Sequence, residues 1–331
     1  MAAHDSASHH SRPAQVTGER PRWRDLPQLP GGARSAWSVA PAGDRLGTLR
    51  YLTPERTARA AALVRTGRRI RLDLSVGEPD PPFFGRAAAR HEILRMNRYA
   101  LDDKFDDFYP QSGTQWDALG HVGHPKHGFY GGRTADEAAA GALGIDAAAE
   151  GIVGRGVLLD VAGWGERSGR PLDPDSAHRI TPGDAMATAE SQGTQLQPGD
   201  ILCVRTGWMS WYRRQDAPRR QELSARSRGE HGGLAGVGLA PAVDWAELLW
   251  DNSTAALAAD NPSVDTMPFT RDPSLHSDAL PMLGLPLGEF FDFDELGRAC
   301  AEEGRWEFLF TAVPWLVQGG IGSPGNAVAL L

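Results

Sequence analysis

Between residues 111 and 121 the chain reads Gln-Ser-Gly-Thr-Gln-Trp-Asp-Ala-Leu-Gly-His, the densest polar cluster in a glycine-punctuated stretch. Gln111, Gln115, Asp117 and His121 carry two neutral amides, a carboxylate and an imidazole at spacings that let them converge. The Gly113-Thr114 turn permits close backbone approach, so the flanking oxygens and nitrogens can be aimed at a single cation. The same composition also describes a polar loop whose amides satisfy its own backbone, and the residues alone leave both readings open. His124 and His127 follow at three-residue spacing, but Gly120, Gly123, Pro125 and Gly128 oppose a helix, so these two read as loop residues.

Other chemistries find little support. Gly322-Ser323-Pro324-Gly325 lacks the spacing of a Gly-x-Ser-x-Gly elbow, no Walker loop occurs, and Gly154 and Gly156 begin a Gly-x-Gly-x-x-Gly run without finishing it. With 34 basic and 42 acidic side chains, a formal net charge of −8, nucleic acids and anionic membrane surfaces are poor partners. A small molecule is the expected partner. Trp116, Trp208 and Phe84 stand beside the polar stretches, where aromatic walls suit a flat substrate, and each ring could equally fill the core.

The 111–121 stretch resembles the His-x-Gly-Thr-His-x-Asp-x-Pro-x-His signature of the cyclase superfamily of metal-dependent hydrolases, which includes bacterial kynurenine formamidase and isatin hydrolase. Further segments agree in order: Asp73-Leu74-Ser75, Arg155 to Asp160, Gly199-Asp200-Ile201 through Arg205-Thr206-Gly207, His276 followed by Leu285-Pro286-Leu287-Gly288-Glu289, and Gly319 to Pro324. The resemblance spans roughly residues 44 to 331. It departs from the signature where Gln111 and Gln115 replace two histidines, the Ser-Gly-Thr-Gln-Trp-Asp form carried by one branch of that family. A glutamine offers a hard, neutral carbonyl oxygen, which weakens a zinc site and favours Mn²⁺ or Mg²⁺ by comparison.

By position, the resemblance implies that Asp117, His276 and Glu289 hold one divalent ion, Mn²⁺ before Mg²⁺ or Zn²⁺, with Gln111 and Gln115 coordinating it or orienting water. It places His121 as the general acid and base, with Gln115 also counted as catalytic and Trp116, Phe84 and Trp208 lining the substrate site. The implied fold is the swivelling β/β/α form of an α/β protein. The implied activity is metal-dependent hydrolysis of a small cyclic or aromatic amide, lactam, formamide or lactone. A metal-free cyclase, dehydratase or small-molecule binder is the alternative. A homodimer or homotetramer is expected from the same resemblance.

The elements that must carry these residues alternate. Thr53-Pro54-Glu55 opens a helix that Gly67 would stop, and Ile70, Leu72, Leu74 and Val76 alternate as a half-buried strand. Strands follow at Val157 to Val161, Ile201 to Thr206, Ala255 to Ala259, Leu285 to Phe290 and Arg305 to Val313. Helices follow Thr181-Pro182, span Pro241 to Trp250, precede Gly284, and start from an acidic capping box at Asp292 and Glu295. Residues 208 to 238 read as an inserted loop or lid. Residues 1–30, rich in charge, His and Pro, read as a disordered tail before one catalytic domain at 36–331. No continuous 18-residue apolar run exists, the amino end lacks a signal-type apolar stretch, and Cys203 and Cys300 lie far apart, so a reducing cytoplasm is expected.

Overall fold

The computed structural model describes residues 20–269 and 274–331. Among the described residues the strands are β1 (Arg69–Arg71), β2 (Arg90–Arg95), β3 (Leu101–Asp106), β4 (Gln115–Asp117), β5 (Ile152–Leu159), β6 (Arg179–Ile180) and β7 (Ile201–Val204), followed by β8 (Gly238–Leu239), β9 (Ala256–Ala259), β10 (Leu287–Glu289), β11 (Glu307–Ala312), β12 (Gly322–Pro324) and β13 (Ala327–Leu330). Nine of them build one mixed sheet in the order β1-β13-β11-β5-β7-β9-β10-β4-β12. Its centre, β5-β7-β9-β10, is parallel, and antiparallel strands extend it on both sides.

Strands β7 and β9 are uninterrupted apolar runs because both of their faces are covered. Leu202, Val204, Leu257 and Ala259 pack on one face with Trp208, Trp245 and Leu287. Ile201, Cys203, Ala256 and Ala258 pack on the other with Phe291, Phe308 and Phe310. Both cysteines are buried and unpaired. This is the α/β architecture that the alternating pattern predicts.

Local chemistry sets the element ends. Thr53 caps the helix Pro54–Ala61 by accepting from the Arg56 amide, and Thr181 forms a full capping box with Asp184 on Pro182–Ser191. The first helix stops before Gly67, because the amides of Leu63 and Val64 bond back to Ala60 and Ala61 in tight turns. The alternating strand keeps its buried face at Ile70, Leu72 and Leu74, yet its ladder ends at Arg71 because the Thr114 hydroxyl takes the Leu74 amide. Asp292 makes no capping box with Glu295: its oxygens accept from the Asp294 amide and from Arg213.

Residues 208 to 238 are not an open lid. They form helices Trp208–Arg213 and Ala217–Ser227, whose Trp208, Tyr212 and Leu223 are buried in the core. An unanticipated hairpin, β2–β3, stands in solvent; its mixture of charges and isolated apolar residues hides the strand period. Of the expected tail, residues 1–19 lie outside the described residues. Residues 20–30 are held down instead: the Trp23 amide donates to Asp251, the Trp250 indole donates to the Pro21 carbonyl, and Leu26 is buried. No helix among the described residues is long and apolar enough to cross a membrane.

Candidate metal centre

Strands β4 and β10 lie side by side and antiparallel, with Glu289 opposite Gln115 and Gly288 opposite Trp116. The pleat sends Gln115 and Asp117 to one face and Trp116 to the other. Trp116 is therefore fully buried against Phe291 and Phe310, on the face away from Gln115 and Asp117. Gly288 leaves room for that indole, since a Cβ there would lie 2.6 Å from the Phe291 ring and 3.0 Å from Trp116.

His276 arrives from a different element, the short helix Leu275–Asp278 capped by Ser274. Asp265 holds this helix start by accepting from the Leu275 and His276 amides at 2.6 and 3.3 Å, and its Oδ2 lies 2.7 Å from His276 Nδ1. Nδ1 faces Asp265, and Nε2 faces the carboxylates. His276 Nε2 lies 2.9 Å from Glu289 Oε1 and 3.5 Å from Asp117 Oδ2.

One ligand atom from each of Asp117, His276 and Glu289 lies within 4.8 Å of the others, and all three residues are buried. The residues present fit a divalent ion. Asp117 Oδ2 is buried without a hydrogen-bond donor, which a folded protein seldom leaves uncompensated. Two carboxylates with one imidazole form a donor set that suits Mn²⁺, Mg²⁺ or Zn²⁺.

The electrostatics agree. Burial pushes the Asp117 carboxyl up, but His121, His276 and Arg86 outweigh it and hold the group below its usual range. Burial, then the charge of Asp117, raises Glu289. Burial alone would lower His276, and the carboxylates of Asp117, Asp265 and Glu289 override it, lifting the imidazole well above its ordinary value. The cluster therefore demands positive charge.

The neighbours sort themselves around this core. His121 Nε2 lies 3.7 Å from Asp117 Oδ1, with its ring centroid 6.3 Å from that of His276, so it stands at the edge of the cluster within reach of a proton in transit. Gln115 presents its amide nitrogen to Glu289 Oε2 at 2.5 Å and to Asp117 Oδ1 at 3.3 Å, while its Oε1 is buried and unpartnered. In this arrangement it orients the carboxylates rather than offering its oxygen to an ion. Gln111, on the turn Pro110–Ser112, lies against the backbone of Gly322, the residue paired with Asp117, and its side chain makes no hydrogen bond to the cluster.

Trp208 is fully buried, stacked on Tyr212 at 5.2 Å and edge-on to Phe83, which makes it core. Phe84 is partly buried, with the Arg86 guanidinium 5.3 Å from its ring. Two residues escaped the sequence reading: Asp265, in Ser263-Val264-Asp265, and Arg86, after Phe84-Gly85. Each is a single charge whose partner is remote in sequence. A cavity of about 140 Å³ adjoins the Gly113-Thr114 turn, lined also by Asp73, Glu78, Ser112 and Phe108; none of the three cluster residues lines it.

The sheet and this buried cluster define a cyclase-type α/β protein, and the comparisons agree. The Cyclase family model matches residues 70–266, more than half of the chain, and the chain belongs to that family. The solved structure of a novel cyclase is 29% identical, with a TM-score of 0.78, covering 90% of this chain and 99% of that one. Isatin hydrolase A from Labrenzia aggregata, bound to benzyl benzoate, shares 18% identity with a TM-score of 0.57, covering 82% and 94% of the respective chains. Isatin hydrolase A from Ralstonia solanacearum shares 17% identity with a TM-score of 0.57, covering 84% and 98%. At these identities the two isatin hydrolases speak for the fold. No curated protein matches the sequence.

Proposed function

We propose that the protein is a metal-dependent hydrolase of a small cyclic or aromatic acyl compound, an amide, lactam, formamide or lactone, with Mn²⁺ as the preferred ion. The observation that carries this reading is the buried convergence of Asp117, His276 and Glu289 around an undonated carboxylate oxygen. A metal-free reading leaves two carboxylates desolvated together with only imidazole and guanidinium charges to offset them, an expensive arrangement without a purpose.

Asp117, His276 and Glu289 would hold the ion. Bound there, a divalent cation supplies Lewis acidity and makes water acidic near neutral pH. Asp265 fixes the ring orientation of His276, and the Gln115 amide fixes the two carboxylates. His121, next to Asp117 and partly open to solvent, would take a proton from water and return it to the leaving nitrogen or oxygen. The alternating apolar face behind Trp116 keeps water away from the sheet side of the cluster.

The isatin hydrolase neighbours support the reading by analogy of fold. The proposal extends to a homodimer or homotetramer, supported by Ile93, Leu101 and Phe105, which share one exposed face of the β2–β3 hairpin. A panel of aromatic formamides, lactams and lactones, assayed with Mn²⁺, Mg²⁺ and Zn²⁺ added separately, tests the activity. Turnover of one bond class that vanishes on chelation is expected; turnover indifferent to chelator contradicts the proposal.

A further inference from the structure

We propose that Arg86 is the recognition group for a carboxylate carried by the substrate, so that the natural substrate is an anionic acyl compound rather than a neutral one. This inference rests on the hydrolase reading of the same site.

The chain enters Arg86 through an unusual turn. Phe84 has φ 60 and Gly85 has φ 74, two consecutive left-handed residues, and a phenylalanine stays there only where its surroundings impose it. They do: the Phe84 amide donates to the Ser227 hydroxyl at 2.8 Å, and the Arg86 amide donates to the Phe83 carbonyl. The result lays the guanidinium over the Phe84 ring and points Nη1 at the Gln111 carbonyl, 2.5 Å away, on the turn that leads into β4.

Some half-buried arginines are neutralised by carboxylates, while others, Arg34, Arg56, Arg220 and Arg226 among them, donate to backbone carbonyls. Arg155 pairs with Asp200 and Glu307, Arg205 with Asp160 and Asp294, and Arg213 with Glu78 and Asp292. Arg86 is buried enough to lose solvation and lies in the field of Asp117 and Glu289, yet among the described residues no carboxylate forms an ion pair with it. A guanidinium has five N–H donors in a planar fork, and here one is used. A fork with donors left over beside an acyl-hydrolysis site matches the two oxygens of a carboxylate.

The test compares benzoate with its neutral isostere benzamide, by calorimetric titration of the full-length Mn²⁺-loaded protein, the Arg86→Gln variant and the Arg86→Lys variant. Wild-type protein should favour benzoate. Arg86→Gln should weaken benzoate about 10- to 100-fold while leaving benzamide unchanged, and Arg86→Lys, which keeps charge but not the fork, should fall between. Thermal melts confirm that the variants are folded, with Arg86→Lys carrying the comparison if Arg86→Gln is not. Equal benzoate affinity in wild type and variants, or no preference for benzoate in wild type, overturns the inference. A prior Mn²⁺ titration reads the metal centre separately: a wild-type chain that takes up no Mn²⁺ refutes the hydrolase reading, and with it the role assigned to Arg86.

Discussion

Two histidines that touch opposite ends of one carboxylate have different work to do, and the distances assign it. His276 is buried, clamped by Asp265 through Nδ1, and aims Nε2 at Asp117 and Glu289; it is placed to hold an ion and not to move. His121 is partly exposed and lies 3.7 Å from Asp117, on the solvent side of the cluster. Their variants should therefore behave differently. His121→Ala should lower kcat by about 10²- to 10⁴-fold with metal content intact, whereas Asp265→Asn should weaken metal binding about 10- to 100-fold. Steady-state kinetics beside metal titration of both variants checks this, and a His121 variant that turns over like wild type would remove it from the mechanism. Asp117 and His121 were legible in the sequence because they sit four residues apart beside a Gly-Thr turn. Asp265 and Arg86 were not, because their significance comes from groups brought to them by folding.

At the scale of elements, the site is a strand-pairing problem. Glu289 meets Gln115 only because β10 and β4 pair in one register, and on strands of three residues a slip of one position would send every side chain to the opposite face. Gly288 protects that register by admitting Trp116 and Phe291 behind it. Gly288→Ala should cost about 1–3 kcal/mol of stability through overpacking and should also weaken metal uptake, as the strands part to make room. Chemical denaturation together with metal titration reads both effects; a stable variant with normal uptake would show that the register does not depend on this glycine. From the sequence 111–121 reads as a loop, for a strand of three residues carries too little alternation to register as one. The pleat turns Trp116 to the face opposite the one that carries Gln115 and Asp117.

Across the whole molecule, the sheet joins segments separated by most of the chain: β4 lies between β10 and β12, so residues near 115, 288 and 323 become neighbours. The parallel centre was readable from its continuous apolar runs, and the capped helices from Thr-Pro starts. Less was visible where composition misleads. The arginine-rich stretch after Trp208 reads as a loop by composition although it folds into two helices, and residues 20–30 read as tail because charge and Pro outnumber the apolar anchors. What unites these scales is a chain folded so that two carboxylates and an imidazole, remote in sequence, are buried together and require a cation. Metal analysis of protein purified without chelator, with Asp117→Ala alongside, tests that requirement most directly. About one Mn²⁺ per wild-type chain and almost none in the variant is the predicted result; equal, near-zero content in both would contradict the account at its root.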